Sequence, residues 1–420
     1  MCYQKSLLSC CFALAAFASQ QVFASDWPGW RGPLGSAVTD ESSLPVSWSA
    51  DENVFWKTEL PGHGASSPTI LGQRIYLTTQ LEDDSLHVLA LDRDSGRLVW
   101  DKEVARGRLK AHELHNMATA TVAAEEGHVW ALFGTGDFVG LKTDGTIVWQ
   151  RNLQKDHGAY DILWGMGTSP IYHDGKLFVA CLNQGPSYVL AVDALTGRDV
   201  WKQERDVEAK GEALDSYSSP VLARTGERTL VVVSGADHVN AYDPDTGEQV
   251  WISRGLQVPN PYGRTIAGPT ATDDIVVTVA SGFRNQGKVV AVKSDGRGDV
   301  TETHRLWTCE RYSPDCPSPL IYDGNVYFIR DDGIASCLDL RTGEPHWQER
   351  LFSENVKVSP VAGDGKVYFT SGQANTVVVS AAPALEILAT NRLDQPTVST
   401  PAISDGKFFI RAGKNLYAVE

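Results

Sequence analysis

Ala191-Val192-Asp193-Ala194-Leu195-Thr196-Gly197-Arg198-Asp199-Val200-Trp201 reads as a strand ending on an aspartate, a turn through Thr-Gly, and a second strand carrying an indole. The Asp193 carboxylate is placed to accept from backbone amides of the turn, and Gly197 takes the left-handed conformation that a side chain resists. The same phrase runs from Ala90 to Trp100 (Ser95 replacing Thr), from Ala241 to Trp251, and from Cys337 to Trp347. Looser copies end at Trp149, one residue short, and at Trp307, after an insertion; a seventh, near Leu393, lacks the tryptophan. A phrase that returns down a chain marks a repeat architecture.

Upstream of each copy lie two apolar strands around a tight turn, as in Ile171 to Val179 around Asp174-Gly175 and Leu320 to Ile329 around Asp323-Gly324. Asp-Gly suits a two-residue hairpin because that turn needs positive φ. The unit starts are Ser67-Pro68, Ala118-Thr119, Ser169-Pro170, Ser219-Pro220, Gly268-Pro269, Ser318-Pro319, Ser359-Pro360 and Thr400-Pro401, eight in all and 41 to 51 residues apart. That period fits four strands per unit, the blade of a β-propeller. The prediction is an all-β, eight-bladed propeller of four-stranded antiparallel blades. Trp56, Trp100, Trp149, Trp201, Trp251, Trp307 and Trp347 lie on outer strands and dock neighbouring blades. The eighth unit stops at Leu416-Tyr417-Ala418-Val419-Glu420, one strand short, and Val54-Phe55-Trp56-Lys57 supplies the missing strand to close the ring.

The 420 residues hold 38 Gly, 12 Trp and only 3 Met, a composition of short strands and turns with no long helix. An apolar stretch from Leu7 to Phe17 behind Lys5, then Val22-Phe23-Ala24, reads as a secretory signal over 1–24. An extended segment follows over 25–52, and a single propeller over 53–420. The expected location is periplasmic or secreted, and the expected state is a monomer with no transmembrane segment once the signal is removed. The net charge of −15 disfavours nucleic acid and anionic lipid as partners. Cys2, Cys10 and Cys11 leave with the signal. Of Cys181, Cys309, Cys316 and Cys337, the pair Cys309 and Cys316 is close enough in sequence to close one disulfide loop, and none has zinc spacing.

The Ala-x-Asp-x-x-Thr-Gly-x-x-x-Trp phrase, with the opening Asp26-Trp27-Pro28-Gly29-Trp30-Arg31-Gly32-Pro33, resembles the PQQ-like, quinoprotein-type propeller repeat family. That family includes PQQ-dependent dehydrogenases and the propeller lipoprotein of the outer-membrane barrel-assembly machinery. The resemblance implies the fold directly and the activity only loosely, since one fold hosts unrelated functions. It raises PQQ with calcium as a cofactor, but the mature chain has no adjacent cysteines, no Cys-x-x-Cys-His, and less length than the family's dehydrogenases.

Strand order sends the short turns to one face and the long blade-to-blade connections to the other, around the channel mouth. Those connections carry His112, His115, Asn116, His157, Asp161, Trp164, Tyr217, Tyr262, Arg264, Arg311 and Tyr312, the candidate ligand-binding residues. Arg264, Arg284, Arg311 and Arg330 could gather around an anionic ligand. Three functions remain open on these residues. The favoured one is a non-catalytic scaffold binding an envelope protein or small molecule. The others are a PQQ-dependent oxidoreductase, and a polysaccharide lyase or hydrolase using Asp161, His157 and Tyr160.

Overall fold

The computed structural model describes residues 26–282 and 286–420. The predicted signal over 1–24 and Arg284 fall outside the described residues.

Eight antiparallel sheets stand around one axis, and consecutive strands run from the axis outward. In blade 3, Ile171–His173, Lys176–Cys181, Tyr188–Asp193 and Asp199–Glu204 pair in that order. Blade 4 gains a fifth, parallel strand, because Gly298–Asp299 from the inserted turn of blade 5 lies against Trp251 and Ile252. The ring closes with Val54–Glu59, which pairs antiparallel with Asn415–Val419; Trp56 sits opposite Ala418 and Lys57 opposite Tyr417. Pairing the two ends of the chain leaves no open seam in the circle.

The repeated phrase acts as a lock between blades. Asp193 Oδ1 accepts from the Thr196 amide at 2.8 Å and from its hydroxyl at 2.7 Å. That pins the turn whose carbonyls meet the neighbouring indole. Nε1 of Trp56, Trp100, Trp149, Trp201, Trp251 and Trp307 donates to Arg93, Thr143, Ala194, Pro244, Ser294 and Leu340 carbonyls of the next blade, at 2.8 to 3.1 Å. Gly197 has φ +71°, and a Cβ there would lie 2.5 Å from the Trp149 ring, so both the backbone and the indole demand glycine.

The small residues that open each unit have a second use. Their hydroxyls form a belt around the channel, each accepting from the amide of the preceding blade: Ser67 to Thr121, Thr121 to Ser169, Ser169 to Ser219, Gly268 to Ser318, Ser318 to Ser359 and Ser359 to Thr400, at 2.9 to 3.2 Å. The sequence reading placed the second start at Ala118-Thr119. The belt uses Thr121 instead, and Thr119 hydrogen-bonds His115.

The segment 26–52 plugs the channel with Trp27 to Thr39, and from Glu41 on it crosses the turns of blades 8 and 7 to the outer strand of blade 7. Trp27 forms a β-bridge to Ile70 on the inner strand of blade 1, and Val38 bridges Ala362 of blade 7. Arg31 has no exposed surface. Its guanidinium donates to the carbonyls of Pro269 (3.4 Å) and Pro319, across the channel in blades 5 and 6. Burial without an acidic partner lowers its pKa to about 9.

Candidate functional site

The long connections form a rim around the loop-face mouth of the channel, and part of their charge is paired within the rim. Arg264 Nη2 donates to Asp315 at 2.8 Å, with Glu212 3.6 Å from its other terminal nitrogen. Asp315 also accepts from Ser281. Asp331 continues the belt: it accepts from the Asp315 amide at 2.7 Å and from Lys357 Nζ at 2.6 Å. Burial raises the Glu212 and Asp215 carboxyls above their usual range, and Arg264 partly offsets this for Glu212. Burial opposes the charge on Lys357, but Cys316 and Asp331 beside it carry its pKa upward. Glu212, Asp331 and Lys357 were missed in the sequence. Glu212 lies in a connection already singled out, over 203–217, whereas Asp331 and Lys357 lie outside those connections.

The predicted residues divide into groups. His112, His115 and Asn116 line one cavity of about 450 Å³ together with His63. His115 is pushed below the usual histidine value by burial. Trp164 joins this group, with its ring edge-on to His112 at 5.3 Å and its carbonyl accepting from the His112 amide at 3.1 Å. Tyr217 and Arg264 lie next along the rim, where the Tyr217 amide donates to Thr265. Asp161 sits by the Asn183 loop, its amide donating to Asn183 Oδ1. Tyr262 and Arg311 are exposed on the connections of blades 4 and 5.

Two of the predictions need correction. His157 is not at the mouth: it closes the one-turn helix Leu153–His157, faces Tyr188 at 5.2 Å, and pairs with Asp199 on an outer strand at 3.2 Å. Tyr312 is buried in the apolar cluster of blades 5 and 6, where a ring of its size fills space. Cys309 and Cys316 are free thiols. Cys309 ends an outer strand, whereas Cys316 lies in the rim with its sulfur 3.5 Å from Lys357 Nζ.

The ligand-type atoms of Asp315, Cys316 and Asp331 lie within 4.8 Å of one another. The Lys357 ammonium already supplies the positive charge there. A carboxylated quinone with calcium needs free cations for its carboxylates and an oxygen-rich shell for the metal. Here Arg264 and Lys357 are committed to acids, and Arg31 fills the channel beneath them. The residues present do not fit that pair.

Four large apolar side chains on two adjacent connections stay in solvent instead: Leu109 (45 % exposed), Leu114 (46 %), Leu163 (37 %) and Trp164 (36 %). Lys110 lies over the Trp164 ring at 5.3 Å. A clustered apolar patch ringed by charge is the usual character of a protein-docking surface. Among the described residues no helix is long and apolar enough to cross a membrane.

Comparisons with known proteins agree with this architecture. A family model described as outer membrane protein assembly factor BamB matches residues 36–179, 143–360 and 331–420. The lanthanide-dependent methanol dehydrogenase of Methylacidiphilum fumariolicum is 30% identical over 166 residues, 37% of this chain and 25% of that protein. The polyvinylalcohol dehydrogenase of a Pseudomonas species is 24% identical over 269 residues, 54% of this chain and 40% of that one. Outer membrane protein assembly factor BamB of Escherichia coli is 21% identical over 336 residues, 80% of this chain and 65% of that one. The chain thus spans between a quarter and two thirds of these relatives' lengths. BamB from Moraxella catarrhalis superposes with a TM-score of 0.62 at 14% identity, over 87% of this chain and 98% of that one. A europium-containing methanol dehydrogenase superposes with 0.66 at 11% identity, over 92% and 89%.

Proposed function

We propose, on the premise that this chain belongs to the PQQ-like propeller family described as outer membrane protein assembly factor BamB, that it is an exported, non-catalytic scaffold of the cell envelope. It docks a protein partner on the loop-face mouth. The observation that carries the reading is the solvent-facing group Leu109, Leu114, Leu163 and Trp164 beside a charged rim with internal ion pairs. Such a rim gives orientation and on-rate, while the apolar centre gives affinity. The plug supports the same reading, since its Arg31 guanidinium lies across the channel against the Pro269 and Pro319 carbonyls. The oxidoreductase alternative is disfavoured because Arg264 and Lys357 are paired with acids. The hydrolase alternative loses His157, which is bound to Asp199 on an outer strand.

Pull-down from envelope extract tests the proposal. The full chain should retain a discrete protein, and Trp164→Ala with Leu114→Asp should abolish retention while the unfolding midpoint stays within about 0.5 kcal/mol of the parent. Retention by the double variant, or tight uptake of PQQ and calcium with dye reduction, would reject it.

A further inference from the structure

The opposite face, where the short turns lie, holds a second opening of the channel that the plug leaves partly uncovered. In each inner hairpin the residues flanking the turn bond to the second strand. Alternate residues of the inner strand therefore direct their N–H and C=O toward the axis. The plug takes up some of these groups. Ile70 exchanges both bonds with Trp27 at 2.8 and 2.9 Å, the Ala124 amide donates to Pro28 at 2.8 Å, and Ala362 pairs with Ala37 and Thr39 at 2.9 and 3.0 Å. By register the equivalents in blades 3 and 4 are Tyr172 and Leu222. Among the described residues neither has a backbone bond to the plug.

Both residues line a cavity of about 580 Å³, bounded across the axis by Trp30, Ser36 and Val38 of the plug. That volume is within the range of ligand sites. The three residues of the blade 3 inner strand, Ile171–His173, are all partly exposed, unlike their buried counterparts in blades 7 and 8, whereas Leu222 of blade 4 is buried beside the plug's Leu34. The Tyr172 side chain is already committed, its ring stacked on Trp130 at 5.1 Å and its hydroxyl accepting from the Gly175 amide. What it offers the cavity is backbone.

We propose that this groove binds an extended peptide segment of a partner, which pairs with the inner edge of blade 3 as the chain's own segment pairs with blades 1, 2 and 7. Unsatisfied edge groups beside an apolar wall recruit a strand. The wall contributes Trp30, Val38 and Ile171, and the rim carries Asp40, Glu125 and Asp174 against Arg224. None of these four charges has an ion-pair partner among the described residues, so the rim is net acidic and favours a segment that alternates apolar and basic residues. The site is separate from the mouth and stands whether or not the docking reading above is right.

The test uses capped synthetic pentapeptides with the full chain: acetyl-Val-Lys-Val-Arg-Val-amide, its Glu-for-basic counterpart, and the basic peptide N-methylated on alternate amides. The basic peptide should shift the tryptophan fluorescence and slow amide exchange at Tyr172, and the other two should bind at least about tenfold more weakly. Tyr172→Pro deletes the edge donor without touching a ladder bond and should abolish binding. As that proline could disturb the strand, Asp40→Lys with Glu125→Lys on exposed positions should reverse the preference to the acidic peptide. Trp164→Ala should change nothing here, which separates this site from the mouth. Equal binding of basic and acidic peptides, binding of neither, or unchanged exchange at Tyr172 under saturating basic peptide overturns the proposal.

Discussion

At the seventh seam Ala389 stands opposite Val378, the position that tryptophan holds in the other outer strands. The replacement comes from the segment that follows the plug. Trp48 is 4 % exposed and lies 5.8 Å from Phe408 of blade 8, with its amide donating to Asn391 of blade 7 at 2.8 Å. Tyr368, packed on Phe408 at 4.4 Å, donates its hydroxyl to the Pro45 carbonyl at 3.0 Å. An indole delivered from outside the repeat thus does the wedging that the repeat cannot. Trp48→Ala should destabilise the chain by about 3–5 kcal/mol, the usual loss for a buried tryptophan, as read from the urea midpoint. A loss below about 1 kcal/mol would mean that the seam closes without it.

The strand–turn–strand element that recurs along the chain carries its own pH dependence. Asp92, Asp243 and Asp339 each accept an amide and a hydroxyl from the Ser or Thr three residues on. All three carboxyls are held below the usual range: Asp92 chiefly by the Ser95 hydroxyl, Asp339 by the Thr342 amide, and Asp243 by Thr246 against an opposing burial effect. A carboxyl with a depressed folded value adds stability above its unfolded value of about 4 and loses it as pH falls through the folded value. Glu212 and Asp215 have the opposite sign: their raised values make stability fall as pH rises just above the usual carboxylate range. The melting temperature should therefore peak at mildly acidic pH and drop steeply below about pH 4. Asp339→Asn, which keeps an acceptor but cannot titrate, should flatten the acid limb; an unchanged limb would remove the turns as its cause. These elements were legible because their period repeats and their chemistry is local. The plug was not, because its contacts to the blades follow no period. The same limit applies to the rim: residue types in the connections could be read, but His157 and Asp199 meet only through folding, and that contact took His157 from the mouth.

For the whole molecule the question is where a ring of similar blades opens first. Six indoles, from Trp56 through Trp307, bond a carbonyl in the following blade. Trp347 faces blade 7, whose Ser380-to-Leu385 turn lacks the Asp-x-x-Thr-Gly phrase, and its Nε1 is left without a hydrogen-bond partner. Blade 7 therefore has a weakened lock on one side and a borrowed one on the other. Closed rings unfold locally before they unfold globally, and the least anchored unit leads. The ladder amides of Thr376–Ser380 should exchange through openings of lower free energy than those of Tyr188–Asp193 in blade 3, whose neighbours are locked on both sides. Hydrogen exchange at neutral pH with increasing subdenaturing urea measures both sets on one sample. Trp48→Ala should widen the gap by exposing blade 7 and leaving blade 3 at the global value. Equal protection of the two blades in the parent would show that hydrogen-bonded indoles do not set the strength of the seams, and that strand pairing at Val54–Glu59 alone holds the circle.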